Sequence, residues 1–113
     1  MGLLDELPAD WREKISERVD PKDIQKIERN LAYAGKICPE RDDIFKAFHL
    51  CPFESVKVVI VGQDPYTRGE ATGLAFAVKR KKKIRPSLKN IFRRIEASTG
   101  TRPQDTELEG WAQ

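Results

Sequence analysis

The N-terminal part of the chain repeats apolar residues every three or four positions, which predicts amphipathic helices. A short helix is predicted within residues 3–19, with Asp10 as its cap and Trp11 as a packing residue. The second helix begins at a clearer signal, because Asp20 is a good N-cap and Pro21 suits the first helical position. A third helix is predicted over residues 41–50, with Ile44, Phe45 and Phe48 on its buried face. We expect all three helices to be structural.

The pattern changes at residues 56–66, Val-Lys-Val-Val-Ile-Val-Gly-Gln-Asp-Pro-Tyr. Its apolar run, Val58–Val61, is too short for a typical helix and rich in β-branched residues, so it predicts a buried strand. A second strand is predicted over Leu74–Val78. In open α/β sheets, ligands bind outside the carboxyl ends of strands, so the loop that carries Gln63 and Asp64 is a candidate site. The same residue types also suit an ordinary turn after a strand.

The C-terminal part begins with a basic loop, residues 79–85, followed by a helix that opens at Pro86 with Ser87 as N-cap and ends at Gly100. A further helix is predicted from Thr106 to Gln113. The chain is therefore expected to form one α/β domain, residues 1–113, with a parallel-type sheet flanked by helices. Its parts are a helical lead-in (1–50), a site-bearing strand-loop-strand (56–78), and the basic loop with its helix (79–100).

Charge is unevenly distributed along the 113 residues, although the net charge is only +3. Residues 79–94 contain nine basic side chains and no acidic one, which leaves 12 basic against 18 acidic side chains elsewhere. We call these nine residues the basic block: Lys79, Arg80, Lys81, Lys82, Lys83, Arg85, Lys89, Arg93 and Arg94. A basic stretch on an acidic body is typical of a nucleic-acid-binding face. A solvated lysine loop is the commoner meaning of such runs, but this one directly follows the candidate site.

Several classes of protein are disfavoured by composition. No apolar run approaches the roughly 20 residues that span a bilayer, and the first residues do not resemble a signal peptide, so we expect no membrane partner. Cys38 and Cys51 lack metal-ligand spacing, which favours free thiols in a reducing cytoplasm; a DNA-bound protein would also suit a nucleoid or a host nucleus. Without a metal cluster or a Gly-rich dinucleotide loop, we expect no metal and no cofactor.

The segment Gly62-Gln63-Asp64-Pro65-Tyr66 resembles the water-activating motif of the family 1 uracil-DNA glycosylases. Further segments resemble that family in order and approximate spacing: Ile44–Phe48, Pro52–Phe53, Gly73–Val78, Pro86–Ile91 and Leu108–Ala112. The resemblance covers the chain from residue 44 onwards and is weaker before it. It implies hydrolysis, without metal, of the bond between uracil and deoxyribose in single- or double-stranded DNA, as in base excision repair.

The resemblance also implies a role for individual residues. Asp64 would be catalytic, by stabilising positive charge on the sugar and orienting a water. The backbone around Gln63 would hold the uracil, Phe76 would stack on the flipped base, and Tyr66 would exclude the methyl group of thymine. Ser87 would contact a DNA phosphate. Together with it, the expected DNA-binding side chains are Lys81, Lys82, Lys83, Arg85 and Lys89.

Departures from the family pattern leave two functions open. Thr67 stands where the family usually has His, and the chain ends before the family's uracil-reading Asn and its His-Pro-Ser-Pro loop. The only histidine, His49, does not match that loop. The protein is either a reduced glycosylase, weakened by these losses, or a disabled homologue that binds DNA or proteins of the glycosylase pathway; a fragment of a longer enzyme would share this sequence. We also expect a second copy or a protein partner to cover the truncated sheet.

Overall fold

A computed structural model describes residues 2–113 of the chain. Four α-helices are α1 (Ala9–Ser16), α2 (Pro21–Tyr33), α3 (Lys46–Leu50) and α4 (Pro86–Thr99). Short 3-10 helical turns lie between and beyond them, at Leu3–Glu6, Arg41–Asp43, Phe53–Ser55 and Glu109–Ala112. Residues 56–85 contain no helix and form the loop region that joins α3 and its following turn to α4.

The two long helices begin and end largely where the sequence predicts. Asp20 caps α2, with its Oδ1 accepting a hydrogen bond from the Lys22 N–H (2.9 Å), and Pro21 is the first helical residue. Gly100 ends α4 in the left-handed conformation (φ 79°), which a glycine adopts without steric cost. The predicted N-cap of α4 is wrong: Arg85 occupies that position without a side-chain cap, and Ser87 is the second residue inside the helix.

Three other helix boundaries also differ from prediction. Pro8, not Asp10, precedes α1; the Oδ2 of Asp10 instead accepts a hydrogen bond from the Phe53 N–H (2.8 Å), which lowers the pKa of Asp10. The predicted helix over residues 41–50 is split, because Phe45 leaves the helical conformation (φ −105°, ψ 24°) just before α3. The last predicted helix, residues 106–113, is only a 3-10 turn that follows Leu108 in the left-handed region (φ 58°).

The predicted sheet is wrong, since residues 2–113 form no β-strand at all. Strands exist only as hydrogen-bonded partners, so each needs a second extended segment beside it. The predicted partner, Leu74–Val78, is instead a tight turn in which the Ala77 N–H bonds to Leu74 O (3.2 Å) and Phe76 has φ 67°. Val78 then bonds to Thr106 O (2.9 Å). The apolar run Val58–Val61 consequently has no partner among these residues and is 60–86% exposed rather than buried.

Two apolar clusters hold the helices together. Near the N-terminus, the Trp11 ring meets Phe48 and Phe53 edge-on, and its Nε1–H donates to Cys51 O (2.7 Å), as expected for a packing residue. The second cluster joins α4 to the turn over residues 74–78 and to the C-terminus through Ala77, Leu88, Phe92 and Leu108.

An ion pair connects α3 to the C-terminal turn: Lys46 Nζ lies 2.7 Å from Glu109 Oε1, and this contact raises the pKa of Lys46. The molecule is nevertheless flat, measuring 47 × 34 × 19 Å. Its radius of gyration, 15.7 Å, exceeds the roughly 13 Å of a compact domain of this length. The α/β sheet is thus replaced by helices and turns that pack around two small cores.

Candidate functional site

A broad cleft of about 1330 Å³ lies between residues 61–68, the turn that follows them and the start of α4. Part of its wall is apolar, from Leu31, Ile37 and Ile44. Six of the residues predicted from sequence line this cleft together: Gln63, Asp64, Tyr66, Phe76, Arg85 and Ser87. The predicted lysines, Lys81, Lys82, Lys83 and Lys89, are not among its lining residues.

The Gln63–Asp64 corner presents polar groups to solvent. Both residues are exposed, and the Gln63 side-chain amide donates to Asp64 Oδ2 at 3.3 Å. Within the described residues, neither backbone N–H of this pair bonds to another protein group. Backbone donors that are free of internal partners can bind an external acceptor at little cost in lost protein hydrogen bonds. The corner can therefore accept a ligand that carries a carbonyl oxygen.

The opposite wall is a turn that depends on two residues with positive φ. Gly73 has φ 102°, and a Cβ added there would collide with Asp43 O and lie 2.9 Å from Lys46 Cβ. Phe76 has φ 67°, which is uncommon for a bulky residue and is found where the surrounding structure fixes the backbone. The Phe76 ring is half-buried and packs against the cluster formed with Leu88 and Phe92. Its position is therefore set by α4 as well as by its own turn.

Glu70 is a buried carboxylate of the cleft wall that the sequence did not reveal. The residue is 7% exposed, and its Oε1 accepts the Arg68 N–H (3.1 Å). Its Oε2 lies 3.4 Å from Arg85 Nη1, and the Arg85 guanidinium lies 5.3 Å from the centroid of the Tyr66 ring. These contacts connect the turn over residues 67–70, α4 and the aromatic residue of the predicted site. An acidic residue in a glycine-bearing loop, between Gly69 and Ala71, carries no sequence signal for such burial.

The basic block divides into paired and unpaired side chains. Lys79 pairs with Glu40 (3.4 Å) and Arg80 with Glu107 (3.7 Å), which draws both towards acidic neighbours. Lys81, Lys82, Lys83 and Lys89 are exposed and, across residues 2–113, have no carboxylate within ion-pairing distance. Lys82 reaches the turn over residues 67–70, since its Nζ would lie 3.7 Å from a Cβ added to Gly69, and the neighbouring Arg68 and Glu70 line the cleft. Positive charge therefore borders the cleft on this side.

The other candidate chemical groups lie outside the predicted mechanism. His49 is not among the cleft-lining residues, and its Nε2–H donates to Glu6 O at 2.9 Å. Cys38 and Cys51 are free thiols, and Cys38 borders the cleft, where its Sγ contacts Thr67 O (3.6 Å). The described part of the chain holds no group of three or more His, Cys, Asp or Glu residues suited to a metal. No helix within it is both long and apolar enough to cross a membrane.

Comparison with known proteins identifies relatives along nearly the whole chain. The uracil-DNA glycosylase of Chlamydia abortus is 39% identical over an alignment of 113 positions, which covers 96% of this chain and 49% of that protein. The uracil-DNA glycosylase of Campylobacter fetus is 41% identical over 90% of this chain and 46% of its own length. That of Borreliella burgdorferi is 39% identical, over 90% of this chain and 49% of its own length. No protein-family model matches the chain.

These relatives confirm the resemblance drawn from the motifs and extend it to the N-terminal residues. The chain spans about half the length of the curated relatives it matches, which is consistent with the N-terminal half of such a protein.

Proposed function

We propose that this relative of the uracil-DNA glycosylases binds DNA and hydrolyses the N-glycosidic bond of uracil in it. The observation that carries the proposal is the shared cleft, whose lining includes Gln63, Asp64, Tyr66 and Phe76. The motif resemblance assigns base binding to Gln63 and water activation to Asp64. It assigns methyl exclusion to Tyr66 and stacking to Phe76. Their common position in this cleft, in residues 2–113 that form no strand, supports the proposal.

Asp64 is proposed as the catalytic residue. Cleavage of a base from deoxyribose passes through an oxocarbenium-like sugar, whose positive charge a carboxylate stabilises. The Asp64 carboxylate is exposed, and apart from the Gln63 amide no described residue donates to it, so one oxygen remains available to orient a water. This chemistry needs neither a metal nor an organic cofactor, because the carboxylate provides the charge and water provides the nucleophile.

The base would leave the DNA stack to enter the cleft, which costs a few kcal/mol. Stacking on Phe76 offsets part of that cost, about 1–3 kcal/mol on the scale of base–aromatic contacts. The unbonded N–H groups of Gln63 and Asp64 would donate to a uracil oxygen and stabilise the departing anion. Tyr66 would face position 5 of the base, where thymine carries its methyl group.

DNA is the proposed macromolecular partner, and the basic block is its proposed contact surface. Lys81, Lys82, Lys83 and Lys89 suit phosphate binding because they are exposed and engaged by no carboxylate of the described chain. Arg85 and Ser87 would extend the surface to the rim of the cleft. Phosphate contacts of this kind position a protein on DNA and make binding depend on salt.

A second function, DNA binding without catalysis, is favoured by the position of His49. This histidine bonds to Glu6 O and is absent from the cleft lining, so residues 2–113 present no imidazole to the cleft that could stabilise a leaving base. Loss of one such donor costs about 10²–10³ in rate. The resulting alternative is a disabled homologue that binds DNA or proteins of the same pathway.

Release of uracil distinguishes the two functions. The chain is incubated in molar excess with an end-labelled single-stranded oligonucleotide that contains one uracil, and abasic sites are cleaved with alkali and resolved on a gel. We expect slow release that a chelator leaves unchanged, and a decrease of about 10²–10⁴ in rate for Asp64→Asn. No release after prolonged incubation would refute the enzymatic function and support binding alone. Equal rates for the parent and Asp64→Asn would retain the activity and reject the role of Asp64.

A second copy of this chain is the proposed partner of the exposed run Val58–Val61. The run is apolar, and the backbone groups of residues 57–66 make no backbone hydrogen bond within the described chain. In the antiparallel register that pairs Val58 with Val61 of a second copy, Lys57 lies opposite Gly62, so like charges do not meet. Such a two-fold pairing satisfies both backbones at once.

Sedimentation velocity over a range of concentrations tests this pairing. We expect the parent to form dimers that Val59→Lys abolishes, whereas Ile27→Lys, a charge placed at an exposed apolar residue elsewhere, leaves them intact. A parent that remains monomeric at all concentrations would rule out the pairing.

A further inference from the structure

Three side chains form a connected unit at the wall of the cleft: Glu70, Arg85 and Tyr66. Glu70 is buried, and buried carboxylates are rare unless they are paired, because removing the charge from water is costly. Its two oxygens have separate partners, the Arg68 N–H at 3.1 Å and Arg85 Nη1 at 3.4 Å. Its backbone oxygen accepts the Lys79 N–H at 2.9 Å. Glu70 is therefore fixed through both its side chain and its main chain.

Arg85 is fixed from two directions. It is the N-cap residue of α4, directly before Pro86, and its carbonyl oxygen accepts the Lys89 N–H at 3.1 Å. Its side chain lies between the Glu70 carboxylate and the Tyr66 ring, with the guanidinium carbon 5.3 Å from the ring centroid. An arginine over an aromatic face is attracted by the ring electrons, and its planar shape suits this stacking better than a lysine ammonium does.

We infer that Glu70 and Arg85 are positioning residues for Tyr66: Glu70 holds the guanidinium against the ring, and the ring is thereby fixed at the site that tells uracil from thymine. The inference rests on the proposed function, in which Tyr66 faces position 5 of the base. A ring held on one face excludes a methyl group by steric overlap, whereas a freely rotating ring moves away from it. Neither Glu70 nor Arg85 needs to touch the base for this effect.

A simpler role for Arg85, contact with a DNA phosphate, makes a different prediction. A phosphate contact contributes equally to uracil- and thymine-containing DNA, because phosphates carry no base information. The positioning role instead changes the ratio of the two affinities. The ratio therefore separates the roles even if Arg85 has both.

The test uses two variants of the unit and a matched pair of controls. Glu70→Gln removes the charge that holds Arg85, and Arg85→Lys keeps the charge of residue 85 but loses its planar stacking. The controls make the same changes in an exposed pair of α4 and its following loop, Glu96→Gln and Arg102→Lys, whose atoms lie 3.0 Å apart. Affinities for two single-stranded oligonucleotides, identical except for one uracil or thymine, are measured by fluorescence anisotropy, and melting temperatures are recorded alongside.

We expect Glu70→Gln and Arg85→Lys to lower the preference for uracil by about two- to five-fold, the factor that an exposed cation–π contact represents. The control variants should keep the ratio of the parent. An unchanged ratio in both variants, or an equal change in the controls, would overturn the inference.

A second readout is independent of DNA. Nuclear Overhauser contacts between Arg85 and the Tyr66 ring are expected in the parent and should weaken in Glu70→Gln. The shifts that the Tyr66 ring induces in the Arg85 side-chain protons should become smaller in the same variant. Full persistence of these contacts in Glu70→Gln would overturn the positioning claim whatever the DNA results. If the parent shows no preference for uracil but the contacts respond as expected, the proposed base pocket is refuted. The claim that the position of the Tyr66 ring distinguishes uracil from thymine is then refuted as well.

Discussion

At the residue scale, the cleft is shaped by backbone conformation as well as by side chains. Gly73 and Phe76, both with positive φ, turn the chain so that residues 74–77 face the Gln63–Asp64 corner. On the other side of the cleft, Glu70 pairs with Arg85, and the Arg85 guanidinium lies beside the Tyr66 ring. The proposed chemistry therefore also depends on Gly73 and Glu70, neither of which is proposed to contact DNA.

The proposed methyl exclusion predicts the behaviour of Tyr66→Ala. Removing the ring opens space at position 5 of the base, so thymine should be accepted while uracil is bound somewhat less well. One methyl group in a pocket is worth about 10–200-fold in discrimination, and the preference for uracil should fall by a factor in that range. The measurement is the ratio of affinities, or of release rates if the chain is active, for uracil and thymine oligonucleotides. A ratio equal to that of the parent would exclude Tyr66 from discrimination.

Different residues of the cleft were accessible to sequence reasoning to different degrees. Asp64, Tyr66 and Phe76 could be proposed as site residues because they lie in short motifs whose amino-acid sequences are specific to the family they resemble. Glu70 could not, because its burial arises from the approach of α4, fifteen residues further along the chain at Arg85. A pairing of that kind is a tertiary contact between two residue types that are abundant everywhere in this sequence.

At the element scale, helices with strong local signals were predicted and segments that depend on partners were not. α2 carries its own N-cap and α4 its C-terminal glycine, and both have apolar stripes, so the start of α2 at Pro21 and the end of α4 at Gly100 agree in sequence and structure. The run Val58–Val61 has the composition of a strand, but a strand requires a neighbour, and the predicted neighbour forms a turn. β-propensity alone therefore gave the wrong fold class.

The basic loop provides a prediction at this scale. Replacing Lys81, Lys82 and Lys83 with Ala should weaken DNA binding and flatten its dependence on salt, because each phosphate contact contributes about −0.9 to the log–log slope on duplex and about −0.7 on single strands. Binding is measured from low to moderate salt. The control replaces three exposed lysines outside the block, Lys22, Lys26 and Lys36, which changes net charge equally. An unchanged slope in the loop variant would make these lysines a solvated loop with no contact to DNA.

The turn at Gly73 gives a prediction for stability. Gly73→Ala should be strongly destabilising, because its φ of 102° disfavours any side chain and the new Cβ would meet Asp43 O and Lys46 Cβ. The backbone strain alone represents about 1–3 kcal/mol. Gly35→Ala is the control, since a Cβ at Gly35 has no atom within 4 Å. Urea unfolding measures both variants, and equal midpoints for Gly73→Ala and the parent would contradict the turn geometry.

At the scale of the whole molecule, the chain has two small apolar cores, and the loops between them form the cleft. The molecule is flat and has an exposed apolar run, Val58–Val61. Relatives of about twice its length match 90–96% of the chain at 39–41% identity. Sequence reasoning reached this kinship through ordered motifs, whereas the absence of a sheet in residues 2–113 depends on which segments meet in three dimensions. The proposed function requires the uracil base to enter the cleft beside Asp64.

The most direct test is a map of backbone amide shifts on binding of DNA. The chain is labelled with ¹⁵N as the Asp64→Asn variant, so that the substrate survives, and is titrated with oligonucleotides that differ only in one uracil or thymine. We predict that the amides of Gly62, Gln63 and Phe76 shift with the uracil oligonucleotide and little with the thymine one, while the amides of residues 79–85 shift equally with both. Cleft amides that stay unmoved, or that respond equally to the two bases, would contradict the account.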